Sequence, residues 1–172
     1  MIRRSTAALL AATLLFAACD DDDPTEPNGI EVAGSYDLTA LTFDPQGTLA
    51  EVDLLARIGD SAPRLVLGGN GVAQLVFVDP QTGLFTTVTG TYTTPAGNVR
   101  VDFGTDVAAE SILLPEEMTF TYDEVAGTLT IDSAATAGVD RAQLLILVPE
   151  WQQEQLLDPV PGVLFVEFTL GA

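Results

Sequence analysis

The sequence predicts an all-β protein: an antiparallel up-and-down β-barrel of about eight to nine strands with one or two short helices, or, without closure, a β-sandwich. Three observations carry this. Apolar and polar residues alternate from Val32 to Leu170, the period-two pattern of strands with one buried face. Gly, Pro, Asn and Asp recur between these runs in short, regular steps, as turns between successive strands require. A meander must also hide its edge strands, and closing on itself does so.

The strands follow in order. Residues 33–43 put Tyr36, Leu38 and Ala40 on one face and Ser35, Asp37 and Thr39 on the other. Arg64 to Leu67 is a short strand, and Gly68-Gly69-Asn70-Gly71 supplies the positive-φ residues of a hairpin back into Val72 to Val78. Asp79-Pro80-Gln81-Thr82-Gly83 is a turn with Pro at its second position. Leu84 to Thr93 is a Thr-rich strand with Leu84, Val88 and Tyr92 inward; Gly90 in its middle suggests a bend or bulge. Pro95-Ala96-Gly97-Asn98 turns into Val99, Val101 and Phe103, which alternate with Arg100 and Asp102. Met118, Phe120 and Tyr122 alternate with Thr119, Thr121 and Asp123, and the turn to Gly127 leads into Leu129 and Ile131. Arg141 to Val148 and Val163 to Leu170, both strongly apolar, read as the last two strands.

Three stretches break the alternation. Thr48-Leu49-Ala50-Glu51 is a capping box and Gly59 a stop, so residues 49–58 fit a helix; alternation of Glu51 and Asp53 with Val52 and Leu54 fits a strand equally. Asp106 to Leu114 fits one or two helical turns. Pro149 to Leu157 begins with Pro at the first helical position and stops before Asp158-Pro159, a short helix whose Trp151, the only tryptophan, plugs a core edge.

The first eighteen residues read as a signal peptide. Arg3 and Arg4 give a positive start, and residues 5–18 form an uncharged, mostly apolar run. That run is too short for a membrane-spanning helix, which needs ~20 residues, and suits a secretory leader. Cys19, the only cysteine, follows Ala17 and Ala18 directly. This arrangement resembles the lipobox of bacterial lipoproteins. The resemblance implies that Cys19 is acylated on sulfur, becomes the first residue of the mature chain, and anchors it in the cell envelope. The membrane is then a partner through lipid, inner or outer, with the protein facing periplasm or cell surface. An ordinary leader cut at an Ala-x-Ala-like site is the plain alternative. Two acyl chains at one residue anchor stably where one binds only marginally.

Asp20, Asp21, Asp22 and Asp23 lead into Pro24, Thr25, Glu26, Pro27, Asn28 and Gly29. Residues 19–31 therefore read as an extended, disordered acidic tether, with residues 32–172 as the folded domain. Consecutive aspartates lack the spacing of a loop that wraps a cation. In some lipoproteins acidic residues after the lipidated cysteine act as sorting signals, and the lipobox resemblance extends that possibility here.

Composition excludes several functions. The 172 residues carry 25 acidic and 6 basic side chains, a formal charge of -19, with no histidine. All the basic residues are arginine. Nucleic acid is excluded as a partner, because its phosphates need cations. Without His or Lys, the usual bases for a Ser or Cys nucleophile are missing, and Ser35, Ser61, Ser111 and Ser133 lack a Gly-x-Ser-x-Gly setting. The adjacent Glu116 and Glu117 would point to opposite faces of a strand and could not flank one bond. No zinc spacing and no phosphate-binding loop occur, since Gly68-Gly69-Asn70-Gly71 lacks the lysine and helix that such a loop needs. The expectation is a protein that is not an enzyme and has no metal and no cofactor.

Gly34-Ser35-Tyr36 is similar to the Gly-x-Trp opening of lipocalin-like barrels, with Tyr for Trp. The hairpins from Gly90-Thr91-Tyr92 to Val99 and from Phe120-Thr121-Tyr122 to Leu129 resemble those of bacterial lipocalin-like lipoproteins, and the likeness covers residues 32–170. It implies a barrel whose mouth takes a small apolar ligand or lipid. Tyr36, Leu38, Tyr92, Phe103, Phe120, Tyr122 and Phe168 are then the candidate ligand-lining residues, with Ile112-Leu113-Leu114 as a lid. The same large inward residues would also fill a small barrel, leaving a packed scaffold with a structural or protein-interaction role and a partner unknown. Interior volume separates the two.

Overall fold

The computed structural model describes residues 31–59, 62–104, 107–133 and 138–171. Cys19, the leader and the acidic tether up to Ile30 lie outside them.

The chain is a closed eight-stranded antiparallel barrel plus one extra strand. Its strands are β1 (Gly34–Pro45), β2 (Val52–Asp53), β3 (Arg64–Leu67), β4 (Val72–Val78), β5 (Phe85–Thr93), β6 (Asn98–Asp102), β7 (Glu117–Asp123), β8 (Thr128–Ser133) and β9 (Gly162–Leu170). Each pairs with the next in the order β1-β3-β4-β5-β6-β7-β8-β9, and β9 pairs back onto β1 from Tyr36↔Leu170 to Pro45↔Gly162. That seam closes the ring and sets aside the sandwich alternative. The extra strand, β2, adds only to the far half of β1, at Thr42↔Asp53 and Phe43↔Val52.

The alternation is realised as apolar in, polar out. Leu65, Leu75, Val88, Val99, Phe120, Leu129 and Phe168 are buried, and the Phe120 and Phe168 rings meet edge to face at 5.8 Å. Burying each such side chain contributes about 1.5–3 kcal/mol. Asp37, Arg64, Gln74, Arg100 and Thr119 face outward. Membrane-spanning barrels have the opposite polarity, apolar toward lipid and polar within.

In β1 the expected parity holds through Thr39, with Tyr36 and Leu38 buried and Ser35, Asp37 and Thr39 on the other face, and fails at Ala40. The register against β9 shifts between Leu38 and Ala40. Thr39 is pushed outward, where its hydroxyl meets that of Thr169 at 2.9 Å. Beyond this bulge the buried residues are Leu41 and Phe43, not Ala40. A bulge adds one residue to one strand and so inverts the alternation after it.

Gly90 marks a close approach of two backbones. A β-carbon there would collide with the Asp102 carbonyl and come within 2.8 Å of the Phe103 Cα. Leu84, expected inward, lies just before β5 in the turn and is 65% exposed. In that turn Asp79 Oδ1 accepts the N–H groups of Gln81 (2.8 Å) and Thr82 (2.9 Å), closing it around Gly83 with φ 69°. The Thr82 N–H foremost, with that of Gln81, holds the Asp79 carboxyl below the usual range against the opposing effect of burial.

Residues 141–148, expected as a strand, form helix α2 (Arg141–Leu147). Asp140 caps it, its side chain accepting from the Gln143 N–H at 2.8 Å, and Arg, Ala, Gln and Leu are good helix formers. Leu144, Leu147 and Val148 are buried while Ile146 is 42% exposed, which is the i, i+3, i+4 spacing of a helix face.

Around residues 49–58 both readings are partly realised. Val52–Asp53 is β2, and a short helix α1 (Leu55–Ile58) follows. The Thr48 capping box is not used: Asp53 Oδ1 accepts from the Ala56 N–H instead, at 3.2 Å. Tight 3₁₀ turns occupy Val107–Ile112 and Pro149–Gln153, and Trp151 packs, half-buried, against the core.

The two ends of the barrel differ. At one, here the near end, lie the start of β1 and three short hairpin turns, residues 68–71, 94–97 and 124–127. At the other, the distal end, lie every long connection and both helices. There Arg57 of α1 pairs with Glu150, with Nη2 2.6 Å from Oε1, and the Gln81 amide donates to the Gln143 Oε1 of α2 at 2.6 Å.

Candidate functional site

The near end is plugged by the chain's three tyrosines. Tyr36 is buried and its hydroxyl donates to the Val32 carbonyl at 2.8 Å; the Tyr92 hydroxyl donates to the Gly68 carbonyl at 2.8 Å. Tyr122 lies beside Tyr36. Burial first, then the neighbouring Tyr122 and Tyr92 hydroxyls, push the Tyr36 phenol far above its ordinary value, and burial raises Tyr92 too. The Tyr36 and Tyr92 phenols are structural donors whose ionisation burial opposes.

Of the seven residues expected to line a ligand, Tyr36, Leu38, Phe103, Phe120 and Phe168 are buried in the packed interior, and Tyr92 and Tyr122 are half-buried against it. The structure brings them together as core. None borders the large cavity, which opens through the barrel wall at the distal end.

That cavity has a simple origin. β7 and β8 pair only at Asp123↔Thr128, Tyr122↔Leu129 and Thr121↔Thr130. Beyond Thr121, β7 continues on β6 while β8 continues on β9. The two neighbours diverge, and a cavity of about 650 Å³ opens between them. Its floor is Met118, Ile131, Leu164 and Val166, all buried. Leu113, Leu114 and Val139, from the long connections, close over it. The volume falls within the ~300–1,000 Å³ of small-molecule sites.

Leu113 holds an unusual backbone. Its φ is 63°, a left-handed conformation that costs a non-glycine residue about 1–3 kcal/mol. It ends the preceding 3₁₀ turn: the Leu113 N–H donates to Glu110 at 2.9 Å and the Leu114 N–H to Ala109 at 3.2 Å. That is the bonding pattern of a Schellman cap, where glycine is usual. Here the side chain is retained and buried against the cavity. The run expected to serve as a lid thus contributes two of its three residues to the site.

The rim is acidic. Glu110, Glu116, Glu117 and Asp140 line it, and no arginine does. Glu117 is paired with Arg100, Nη2 to Oε2 at 2.8 Å. Glu116 lies one residue before β7, so strand alternation does not separate it from Glu117, and both border the cavity. Among the described residues no group of three or more His, Cys, Asp or Glu could hold a metal ion.

Sequence reasoning placed Met118, Ile131 and Val163 to Leu170 in strands but missed the site they build. Nothing local announces that a ladder stops after three pairs. The outliers that mark the place, an αL leucine and a splayed hairpin, appear only in three dimensions.

No protein-family model matches the chain, and no curated protein is significantly similar to it. A crystal structure of an uncharacterized protein from Bacteroides eggerthii is similar over 60% of this chain and 93% of its own, at 15% identity and a TM-score of 0.35. The fold and the cavity therefore carry the functional argument.

Proposed function

We propose that this chain is a lipid-anchored lipoprotein of the bacterial cell envelope, held at the inner or outer membrane through acylated Cys19 and facing the periplasm or the cell surface. Its barrel is a non-catalytic scaffold with a structural or protein-interaction role. The observation that carries the scaffold reading is the filled interior: the large inward residues pack against one another. The anchor rests on the leader, the lone cysteine and the acidic tether. The non-catalytic reading is supported by the absence of His and Lys and by the engagement of Glu117 with Arg100.

The chain enters the barrel at the near end, where β1 begins. The distal end carries exposed Leu84, Phe85, Ile146 and Leu157, which suit contact with another protein if they form one patch. Cell fractionation tests the anchor. Wild-type protein is expected in the membrane fraction and Cys19→Ala outside it; a Cys19→Ala chain that stays membrane-bound contradicts the reading.

A second reading, binding of a small apolar ligand, is favoured by the 650 Å³ apolar cavity. It differs from the expected form in being a wall site rather than a filled lumen. Native mass spectrometry of protein from its own host tests it: a co-purifying small molecule is expected, and its absence counts against this reading alone.

A further inference from the structure

The geometry points to the gap between β7 and β8 as a site for a small amphiphile with an apolar body and a cationic head, of the long-chain amine or quaternary ammonium class. This rests on the apolar-ligand reading and goes beyond it in naming the site and the charge.

Two independent features define the ligand. The first is the floor. Met118, Ile131, Leu164 and Val166 present no polar side-chain group, so an alkyl body entering the gap gives up no hydrogen bonds to them and displaces water from apolar surface. Leu113 holds a strained backbone and yet is not glycine. Its side chain is buried and closes over that floor.

The second feature is the rim. Four carboxylates, Glu110, Glu116, Glu117 and Asp140, border the opening. Arg100 offsets Glu117, and the Asp140 side chain accepts the Gln143 N–H in capping α2. The mouth is therefore negative on balance, in a chain of net charge -19. A cleft lined by one sign of charge concentrates the opposite sign and repels its own. A fatty acid entering tail first would leave its carboxylate among these groups. An ammonium head would complement them while its chain covers the floor.

The test is calorimetric titration of the full chain with three probes sharing one alkyl body, each below its micelle concentration: decyltrimethylammonium, decanol and decanoate. At low salt the ammonium probe is expected to bind at least about tenfold more tightly than decanoate, with decanol between. Thr119→Trp places a bulky ring at the gap from an exposed β7 position and is expected to abolish binding of all three. Glu110→Gln with Glu116→Gln is expected to erase most of the ammonium advantage and leave decanol unchanged. Decanol binding without preference for the ammonium probe overturns this inference and leaves the apolar-ligand reading standing. Binding of no probe overturns both. Ammonium binding that survives Thr119→Trp belongs to the acidic surface at large and overturns the site.

Discussion

The two ends of this barrel are built by different rules. The near end is closed by three four-residue turns, each local in sequence, and by three tyrosines that meet across strands. Gly71, with φ 78°, lets the 68–71 turn fold back, and Tyr92 ties its ring to the Gly68 carbonyl of the same turn. The distal end is closed by long connections that cross the opening and meet one another: α1 to the 149–153 turn through Arg57 and Glu150, α2 to the 79–83 turn through Gln143 and Gln81. Closure by short turns leaves a packed interior beneath it. Closure by long segments leaves a cavity, whereas exposed apolar residues and a positive-φ non-glycine residue occur at both ends: Val125, Leu170 and Ala96 at the near one, Leu84, Phe85 and Leu113 at the distal one. The difference teaches that loop length, more than strand composition, decides which end of this barrel is packed and which is open.

The comparison can be broken at α2 first, where the largest effect is expected. If 141–147 is a helix, Leu147→Ala deletes a buried side chain and costs about 2–5 kcal/mol in a urea titration, while Ile146→Ala on the solvent side costs under about 0.5 kcal/mol. The helix buries Leu144 and Leu147 together, whereas a strand would put them on opposite faces. Leu144→Ala is therefore expected to cost as much as Leu147→Ala, and a small cost at Leu144 beside a large one at Leu147 would restore the strand reading.

A smaller effect is expected at the near end. Tyr36→Phe removes the hydroxyl bond to Val32 and costs about 0.5–1.5 kcal/mol at neutral pH. Its pH dependence is the sharper test. The folded chain holds the Tyr36 proton more tightly than the unfolded chain does, since burial raises its pKa. That stability is fully present below the unfolded value of about 10 and is lost as pH rises above it. Wild type is therefore expected to weaken steeply above about pH 10, and Tyr36→Phe less so. Parallel alkaline profiles would deny the tyrosine plug its role.

The smallest effect is expected from Arg57→Ala. Its partner Glu150 is exposed and screened by water, and such pairs contribute little. A change at or below the error of a urea titration is expected; a large loss would mean that this contact holds the distal closure together.

What the sequence disclosed follows the same division. The hairpins at 68–71, 94–97 and 124–127 were legible because glycine and proline dictate turns within a few residues. The inward faces of β6 to β8, and Val88 and Tyr92 of β5, were legible because burial alternates along each strand. The second half of β1 was not, because the Thr39 bulge inverts parity without a residue that demands it. Arg141 to Val148 misled because a buried apolar helix and a buried strand share a composition, and only the Asp140 cap and the exposed Ile146 separate them. The cavity was invisible because it arises where β7 and β8 stop pairing, a property of the closed ring and not of either strand. Its floor residues read as ordinary core, and its acidic rim as ordinary surface.

We propose above all that acyl chains at Cys19 tether this barrel to a membrane. Intact mass spectrometry of the protein isolated from its own host tests that most directly. The expected result is a chain that begins at Cys19 and carries the added mass of a diacylglyceryl group. A chain carrying no lipid mass, with residue 19 unmodified or missing, would contradict it.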